Sequence, residues 1–207
     1  MNVLNYISST ATEVISKSIV APLRVVSNKV TEYRTKEEKD EKPDRIYETN
    51  KYEQYKSLTY EPINIIDNLY LGHAINAGSY YVLKKLNIGL IMNVTNEIDN
   101  YFEDCKEFEY AKYDISDNGK DKINNHLINS YLKIIDYQKT YPDKNIFIHC
   151  YMGASRSVSV ILYYLMKQHD KTLDEAIEFV KNKKNCINIS TRFRDDIIET
   201  YACTSTL

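Results

Sequence analysis

The chain has 207 residues, 43% of them hydrophobic, and a formal net charge of −2, which suits one domain with an extension and a proper core and lacks the field that draws nucleic acid or an anionic membrane. No apolar run reaches transmembrane length and no secretory apolar segment is seen, so membrane insertion is not expected. Four widely spaced cysteines form no CxxC pair, a usage that fits free thiols in a reducing, cytoplasmic compartment.

Residues Met1 to Tyr33 carry apolar side chains at Leu4, Ile7, Ala11, Val14, Ile15 and Ile19. That one-sided spacing predicts a helix, broken or restarted at Pro22. The first 34 residues hold Arg24, Arg34, Lys17 and Lys29 against Glu13 and Glu32, a balance of +2. Without Trp or Phe anchors the apolar face suits packing or pairing with a second copy better than resting on a membrane. Thr35 to Lys56 is crowded with charges of both signs and reads as a linker or solvated face. The expected organisation is an N-terminal helical extension with its linker over 1–57 and a catalytic-type domain over 58–207.

Further on, Ile63–Ile66 and Leu69–Leu71 read as short strands, Ala74–Leu86 as a helix and Ile88–Val94 as a buried strand. Glu109–Ile115 reads as another strand and Asp121–Thr140 as a long helix, with Asp121 a candidate N-cap. Asn145–His149 reads as a central strand, followed by helices at Ser157–Gln168, Thr172–Asn182 and Thr191–Ala202. Thr172 and Glu175 have capping-box spacing. This alternation predicts an α/β fold with a central, mainly parallel sheet flanked by helices.

Between the strand at 145–149 and the next helix lies His149-Cys150-Tyr151-Met152-Gly153-Ala154-Ser155-Arg156-Ser157. A loop that leaves a strand and enters a helix N-terminus collects unpaired backbone N–H groups and the positive end of the helix dipole. That is a site for a phosphate dianion, and such a setting favours a thiolate. Gly153 and Ala154 let the backbone curl so that its amides form an anion nest. Arg156 offers a planar fork for two phosphate oxygens. Cys150 is the candidate nucleophile, and the Ser157 hydroxyl can stabilise the sulfur as it attacks and leaves. A phosphate ester also needs an acid for the departing oxygen. Asp114, Asp117 and Asp121 share one loop. Asp114 sits by the strand, Asp121 by the next helix, and Asp117 before the flexible pair Asn118-Gly119.

The pattern His-Cys-x-x-Gly-x-x-Arg-Ser resembles the signature of cysteine-dependent protein phosphatases. Ile115-Ser116-Asp117 is similar to the general-acid loop of the dual-specificity branch, and Tyr164-Leu165-Met166 to that branch's Ala-Tyr-Leu-Met. Asn68-Leu69-Tyr70-Leu71-Gly72 and Ile91-Met92-Asn93-Val94-Thr95 resemble its early strands. The resemblance runs from about Tyr60 to Tyr201 and implies a phosphatase-like fold. It implies Cys150, Arg156, Asp117 and Ser157 as catalytic residues, with phosphate bound by Tyr151, Met152, Gly153, Ala154, Ser155 and Arg156. His149 and Asn93 would support the loop, Asn93 by hydrogen-bonding it, although a strand-end asparagine in a turn reads equally well. The remaining histidines (His73, His126, His169) lack metal-ligand spacing, so neither a metal nor an organic cofactor is expected. The chain has no tryptophan, so it lacks the Trp-Pro-Asp acid loop of the large tyrosine-specific enzymes.

The implied function is hydrolysis of phosphotyrosine and phosphoserine/phosphothreonine in protein substrates through a phosphocysteine. The partners expected are a phosphorylated protein, no nucleic acid, and a second copy of the chain through the N-terminal helix. Two alternatives stand beside it. One is a phosphatase of a phosphoinositide or an RNA 5′-phosphate, disfavoured because Tyr151, Met152 and Ala154 fill loop places that are often basic there. The other is a non-catalytic phosphoprotein-binding module, disfavoured by the intact Cys150, Arg156 and Asp117. The chain departs from the family at Ile187–Phe193, where Ile189, Ser190 and Arg192 replace the Pro, Asn and Gly of Pro-Asn-x-Gly-Phe. A differently shaped wall beside the pocket is expected there, with Arg192 or Arg194 available to acidic or doubly phosphorylated substrates.

Overall fold

Side chains of a strand alternate between the two faces of its sheet, and here the alternation separates two cores. The computed structural model describes residues 61–118 and 121–205. The predicted N-terminal helix, the charged linker and the 57/58 boundary lie outside these residues. Strands β1 (Ile63–Ile66), β2 (Leu69–His73), β3 (Ile88–Asn93), β4 (Glu109–Lys112) and β5 (Asn145–Cys150) form one sheet. Their order is β1-β2-β5-β3-β4. Only β1 and β2 pair antiparallel, through the tight turn at Asp67-Asn68 where Asp67 takes a left-handed φ of 47°. The other pairings are parallel. The expected mainly parallel α/β sheet is therefore present.

One face of β3 and β5 contributes Leu90, Met92, Ile146, Ile148 and Cys150 to the larger core. The opposite face contributes Ile88, Ile91 and Phe147 to a smaller one with Tyr80, Leu83, Phe102 and Phe108. The larger core is covered by α3 (Asn124–Thr140), α4 (Arg156–His169), α5 (Leu173–Lys183) and α6 (Thr191–Thr204). Helix α4 is buried all round from Arg156 to Met166, as a helix wedged between a sheet and other helices must be. The Thr172–Glu175 capping box opens α5, with Glu175 N–H donating to Thr172 Oγ1 at 3.3 Å and Thr172 N–H to Glu175 Oε2 at 2.8 Å.

Three local expectations are corrected. The helix expected over Ala74–Leu86 is two short pieces, α1 (Ala74–Ala77) and α2 (Tyr80–Lys85), parted at Gly78-Ser79, because glycine gives up the most conformational freedom in a helix. Strand β4 stops at Lys112, since its neighbour β3 ends at Asn93. After the last sheet-side bond, Tyr113 N–H to Asn93 O, the Ile115 N–H turns back onto Tyr113 O at 2.8 Å. Asp114 therefore lies in a turn and not in the strand. Finally, α3 begins at Asn124, and Asp121 does not cap it. Its orphan donor at Ile123 N–H is instead met by the carboxylate of Asp196 from α6, at 3.0 Å. A helix end buried against a neighbour can take its cap from there.

Candidate active site

The parallel strands β5 and β3 end side by side at Cys150 and Asn93, so loops leaving their C-terminal ends meet over one spot. In open α/β sheets this is where ligands collect. The loop from Cys150 to Arg156 turns back over the end of β5. Gly153 makes this turn possible with φ of +66°. A Cβ there would also lie 2.5 Å from the carbonyl oxygen of Gly72 on β2, so any other residue would push the loop off the sheet. The turn aims the Gly153 N–H at Cys150 Sγ, 3.2 Å away. The Ser157 hydroxyl, one residue into α4, donates to the same sulfur at 3.2 Å. Two donors thus converge on a sulfur that sits beneath the loop, Cys150 being 2% exposed. The helix itself starts at Arg156, and its N-cap Ser155 makes no side-chain capping bond, which leaves first-turn amides for a ligand.

Neighbouring segments hold the loop at two points. Tyr151 O accepts from Ala74 N–H at 3.2 Å, and Ala154 O accepts from Asn188 N–H at 2.9 Å. Asn188 belongs to the Ile187–Ser190 wall, whose Ile189 is buried against the core. Met152 stands exposed at the loop's crest. His149 is buried on the strand with its ring stacked on Phe147. Burial is the main reason its imidazole is pushed down to about 3, although a hydrogen bond with the Cys150 backbone opposes this. Burial thus favours its neutral form, which stacks on Phe147 at the foot of the loop.

Arg156 is also buried, at 5% exposure, and its guanidinium is fully engaged on one side. Nη1 donates to Glu97 Oε2 at 2.7 Å and to Ile115 O at 3.0 Å, while Nη2 donates to Glu97 Oε1 at 2.6 Å. Burial works against its charge, but the hydrogen bond to Glu97 and the charges of Cys150, Glu97 and Asp117 raise its pKa. For Glu97, partial burial pushes upward, yet the Arg156 hydrogen bonds and charge hold it below the usual carboxylate range. Asp117 lies over the same residues. Its Oδ1 accepts from Ser155 Oγ at 3.3 Å and its Oδ2 is 3.8 Å from Arg156 Nε. Asp114 is exposed, and Asp121 is paired with Asn118.

Asn93 does not make the expected hydrogen bond to the phosphate loop. Its Nδ2 donates to Ile98 O at 2.7 Å and Asn100 Oδ1 at 3.0 Å, and its Oδ1 accepts from Thr95 Oγ1 at 2.7 Å. It thereby shapes the segment that carries Glu97. Arg192 likewise faces its own helix, 3.6 Å from Asp196. Glu97 is the participant that sequence reasoning missed, because it meets Arg156 across 59 residues of chain and no local spacing marks it. Among the described residues no cluster of ligating side chains suited to a metal occurs, and no helix is long and apolar enough to cross a membrane.

A cysteine under an amide loop, an arginine at the head of the following helix and a carboxylate above them thus meet at the C-terminal ends of the parallel strands. Residues 69–203 match the family described as dual specificity phosphatase, catalytic domain. The chain belongs to that family. It is 33% identical over 138 residues to human dual specificity protein phosphatase 9, covering 67% of this chain and 35% of the relative. It is 34% identical over 141 residues to protein phosphatase Slingshot of Drosophila melanogaster, covering 68% of this chain and 13% of that one. The chain thus spans about a third or less of these relatives' length. Among solved structures, human DUSP28 aligns with a TM-score of 0.63 at 18% identity, over 70% of this chain and 99% of that one. The human tyrosine phosphatase-like serine/threonine/tyrosine-interacting protein aligns at 0.64 and 24%, over 70% and 99%. These likenesses show the fold.

Proposed function

We propose that this domain is a cysteine-dependent protein phosphatase acting on phosphotyrosine and phosphoserine/phosphothreonine. The observation that carries the reading is the convergence of the Gly153 N–H and the Ser157 hydroxyl on Cys150 Sγ, each at 3.2 Å, beside the Arg156 guanidinium. Family membership supports it. In this reading the Cys150 thiolate attacks phosphorus in line and the P–O bond to the substrate breaks. Asp117 gives its proton to the departing oxygen, so tyrosine, serine or threonine leaves neutral. Loop amides and Arg156 hold the equatorial oxygens, where charge stabilisation contributes most in phosphoryl transfer. The Asp117 carboxylate then takes a proton from water, which attacks phosphocysteine. The P–S bond breaks, Ser157 donates to the leaving sulfur, and inorganic phosphate is released.

Tyr151, Met152 and Ala154 add no positive charge to the loop, which favours a protein substrate over a phosphoinositide or RNA 5′-phosphate. The proposed setting is the cytoplasm, with the catalytic domain over 58–207 joined to a helical extension over 1–57 that pairs two copies. Sedimentation of the full chain against a 58–207 truncation tests the pairing.

The phosphatase reading is tested by p-nitrophenyl phosphate turnover with and without chelator, followed by a phosphopeptide panel. Metal-independent, vanadate-sensitive turnover is expected. Cys150→Ser should abolish it while keeping phosphopeptide binding, and Asp117→Ala should lower kcat by about 10²–10⁴-fold. Wild-type protein that binds phosphopeptides without turning them over would make it a recognition module. Full rate in Asp117→Ala, with loss in Asp114→Ala, would move the acid to Asp114.

A further inference from the structure

The direction of one strand decides which part of the chain enters the sheet near Cys150. The parallel strands β2, β3 and β5 end at His73, Asn93 and Cys150. Strand β1 runs the other way, so its first residue, Ile63, is the one nearer that end, paired with Leu71, while Ile66 pairs with Leu69. β1 stands two strands from β5, and Ile63 sits two residues short of the level where His73 pairs with Cys150. At about 4.8 Å between strands and 3.3 Å per residue, the Cα atoms of Ile63 and Cys150 are roughly 12 Å apart. The chain is held just before Ile63, where Pro62 is buried and Glu61 accepts from Lys85 Nζ at 2.8 Å. Glu61, two residues further out, is thus within about 19 Å of the nucleophile.

The sequence leading to this anchor is dense in tyrosine. Tyr47, Tyr52, Tyr55 and Tyr60 are four of the chain's 19 tyrosines in under a tenth of its length, so the cluster exceeds the general richness in that residue. A chain covers at most about 3.5 Å per residue. Tyr60 adjoins the anchor and cannot turn over the catalytic loop. Tyr55, six residues from Glu61, has about 21 Å when fully stretched, no more than the gap itself. Tyr52 and Tyr47, nine and fourteen residues away, have about 31 Å and 49 Å, enough to pass over the loop and point a ring down. Each is followed by a glutamate, Glu53 and Glu48. Lys184, whose charge helps depress the His73 imidazole at the end of β2, is a cation of the right sign for them beside the site.

We propose that Tyr47 and Tyr52, once phosphorylated by a protein tyrosine kinase with ATP, are substrates of Cys150 in the same chain, so that the domain clears phosphate from its own linker. The inference rests on the phosphatase reading for its chemistry. The Cys150 sulfur displaces the tyrosine oxygen from phosphorus and Asp117 protonates that oxygen. Water then releases inorganic phosphate and regenerates the thiolate. A tethered phosphotyrosine meets the site at a concentration set by the tether and not by the amount of protein, so its loss is first-order and indifferent to dilution.

The test phosphorylates the full wild-type chain with a recombinant tyrosine kinase and ATP in the presence of vanadate. EDTA then stops the kinase and strips the vanadate, and mass spectrometry follows each phosphotyrosine with time. Phosphate on Tyr47 and Tyr52 should be lost at a rate unchanged across about 100-fold dilution, and about 10-fold or more faster than phosphate on Tyr60. Phosphorylated Cys150→Ser chains mixed with unphosphorylated wild type should lose the same phosphates about 10-fold or more slowly than the wild type clears its own, which separates action within a chain from action between paired copies. Loss that slows in proportion to dilution, equal loss from Cys150→Ser chains, or persistence of both phosphates overturns the inference. So does a Cys150→Ser chain whose Tyr47 and Tyr52 take up no phosphate from the kinase. In each of these cases, turnover of p-nitrophenyl phosphate by the same preparation leaves the phosphatase reading standing, whereas its absence overturns that reading as well.

Discussion

His149 offers a prediction whose size follows from its burial. The residue is 1% exposed, and its imidazole is pushed down from 6.5 to about 3, mainly because burial penalises the charged form. The unfolded chain takes up a proton near pH 6.5, whereas the folded protein does not until about pH 3. Between those values the unfolded state binds more protons, so stability falls as pH falls. Each pH unit costs about 1.4 kcal/mol, so going from pH 6.5 to pH 5 removes about 2 kcal/mol through this one group. His73 is held to about 4, by burial first and by the charge of Lys184 second. It adds a loss of the same sign, which brings the pair to about 4 kcal/mol at pH 5, against total stabilities of about 5–15 kcal/mol. The depressed carboxylates, Glu97 among them, lose their contribution only below their ordinary range, so the window from pH 6.5 to 5 belongs to the imidazoles. Urea unfolding at pH 7.5 and pH 5, followed by far-ultraviolet circular dichroism, measures the difference. In His149→Gln the pH-dependent loss should shrink by about 2 kcal/mol whatever the variant's overall stability. If the variant loses as much between the two pH values as the wild type, the neutral-imidazole argument is wrong.

Three further outcomes are expected. Gly153→Ala forces a side chain into left-handed backbone and against the Gly72 carbonyl; kcat/KM for p-nitrophenyl phosphate should fall by about 100-fold or more, and a rate near wild type would show the loop tolerates displacement. Ser157→Ala removes one of two donors on the sulfur, so rapid-quench kinetics should show a burst of p-nitrophenol followed by turnover slowed by roughly 100-fold; slowing without a burst would place the serine in the first step instead. Asp196→Ala strips the cap from α3 and the partner from Arg192, which should cost about 1–2 kcal/mol and lower Tm by several degrees in a thermal melt, with an unchanged Tm counting against the cap.

What the sequence made legible follows from the range of the signal. The strand–loop–helix unit is local, with an apolar strand, small residues at fixed offsets and a helix start, so the grouping of Cys150, Gly153, Arg156 and Ser157 around one turn is legible in the sequence. The same holds for the Thr172 capping box. Three of the features missed or misread depend on partners far along the chain. Asp121 looked like a cap because aspartate favours that position, but Asp196 reaches the α3 terminus from 73 residues away. Asp114 looked like part of a strand because nothing local says that β3 has run out of backbone. Glu97 carried no local signal at all. Arg192, a free cation on paper, has its charge answered one turn further along its own helix.

The bond from Asn188 N–H to Ala154 O is made by the main chain, and this has a consequence for how the active-site rim can evolve. Almost any side chain can occupy position 188 without loosening the tether, since only proline lacks the donor. Position 188, exposed between the partly buried Ile187 and the core residue Ile189, is therefore free to exchange shape and polarity while the loop beneath stays anchored.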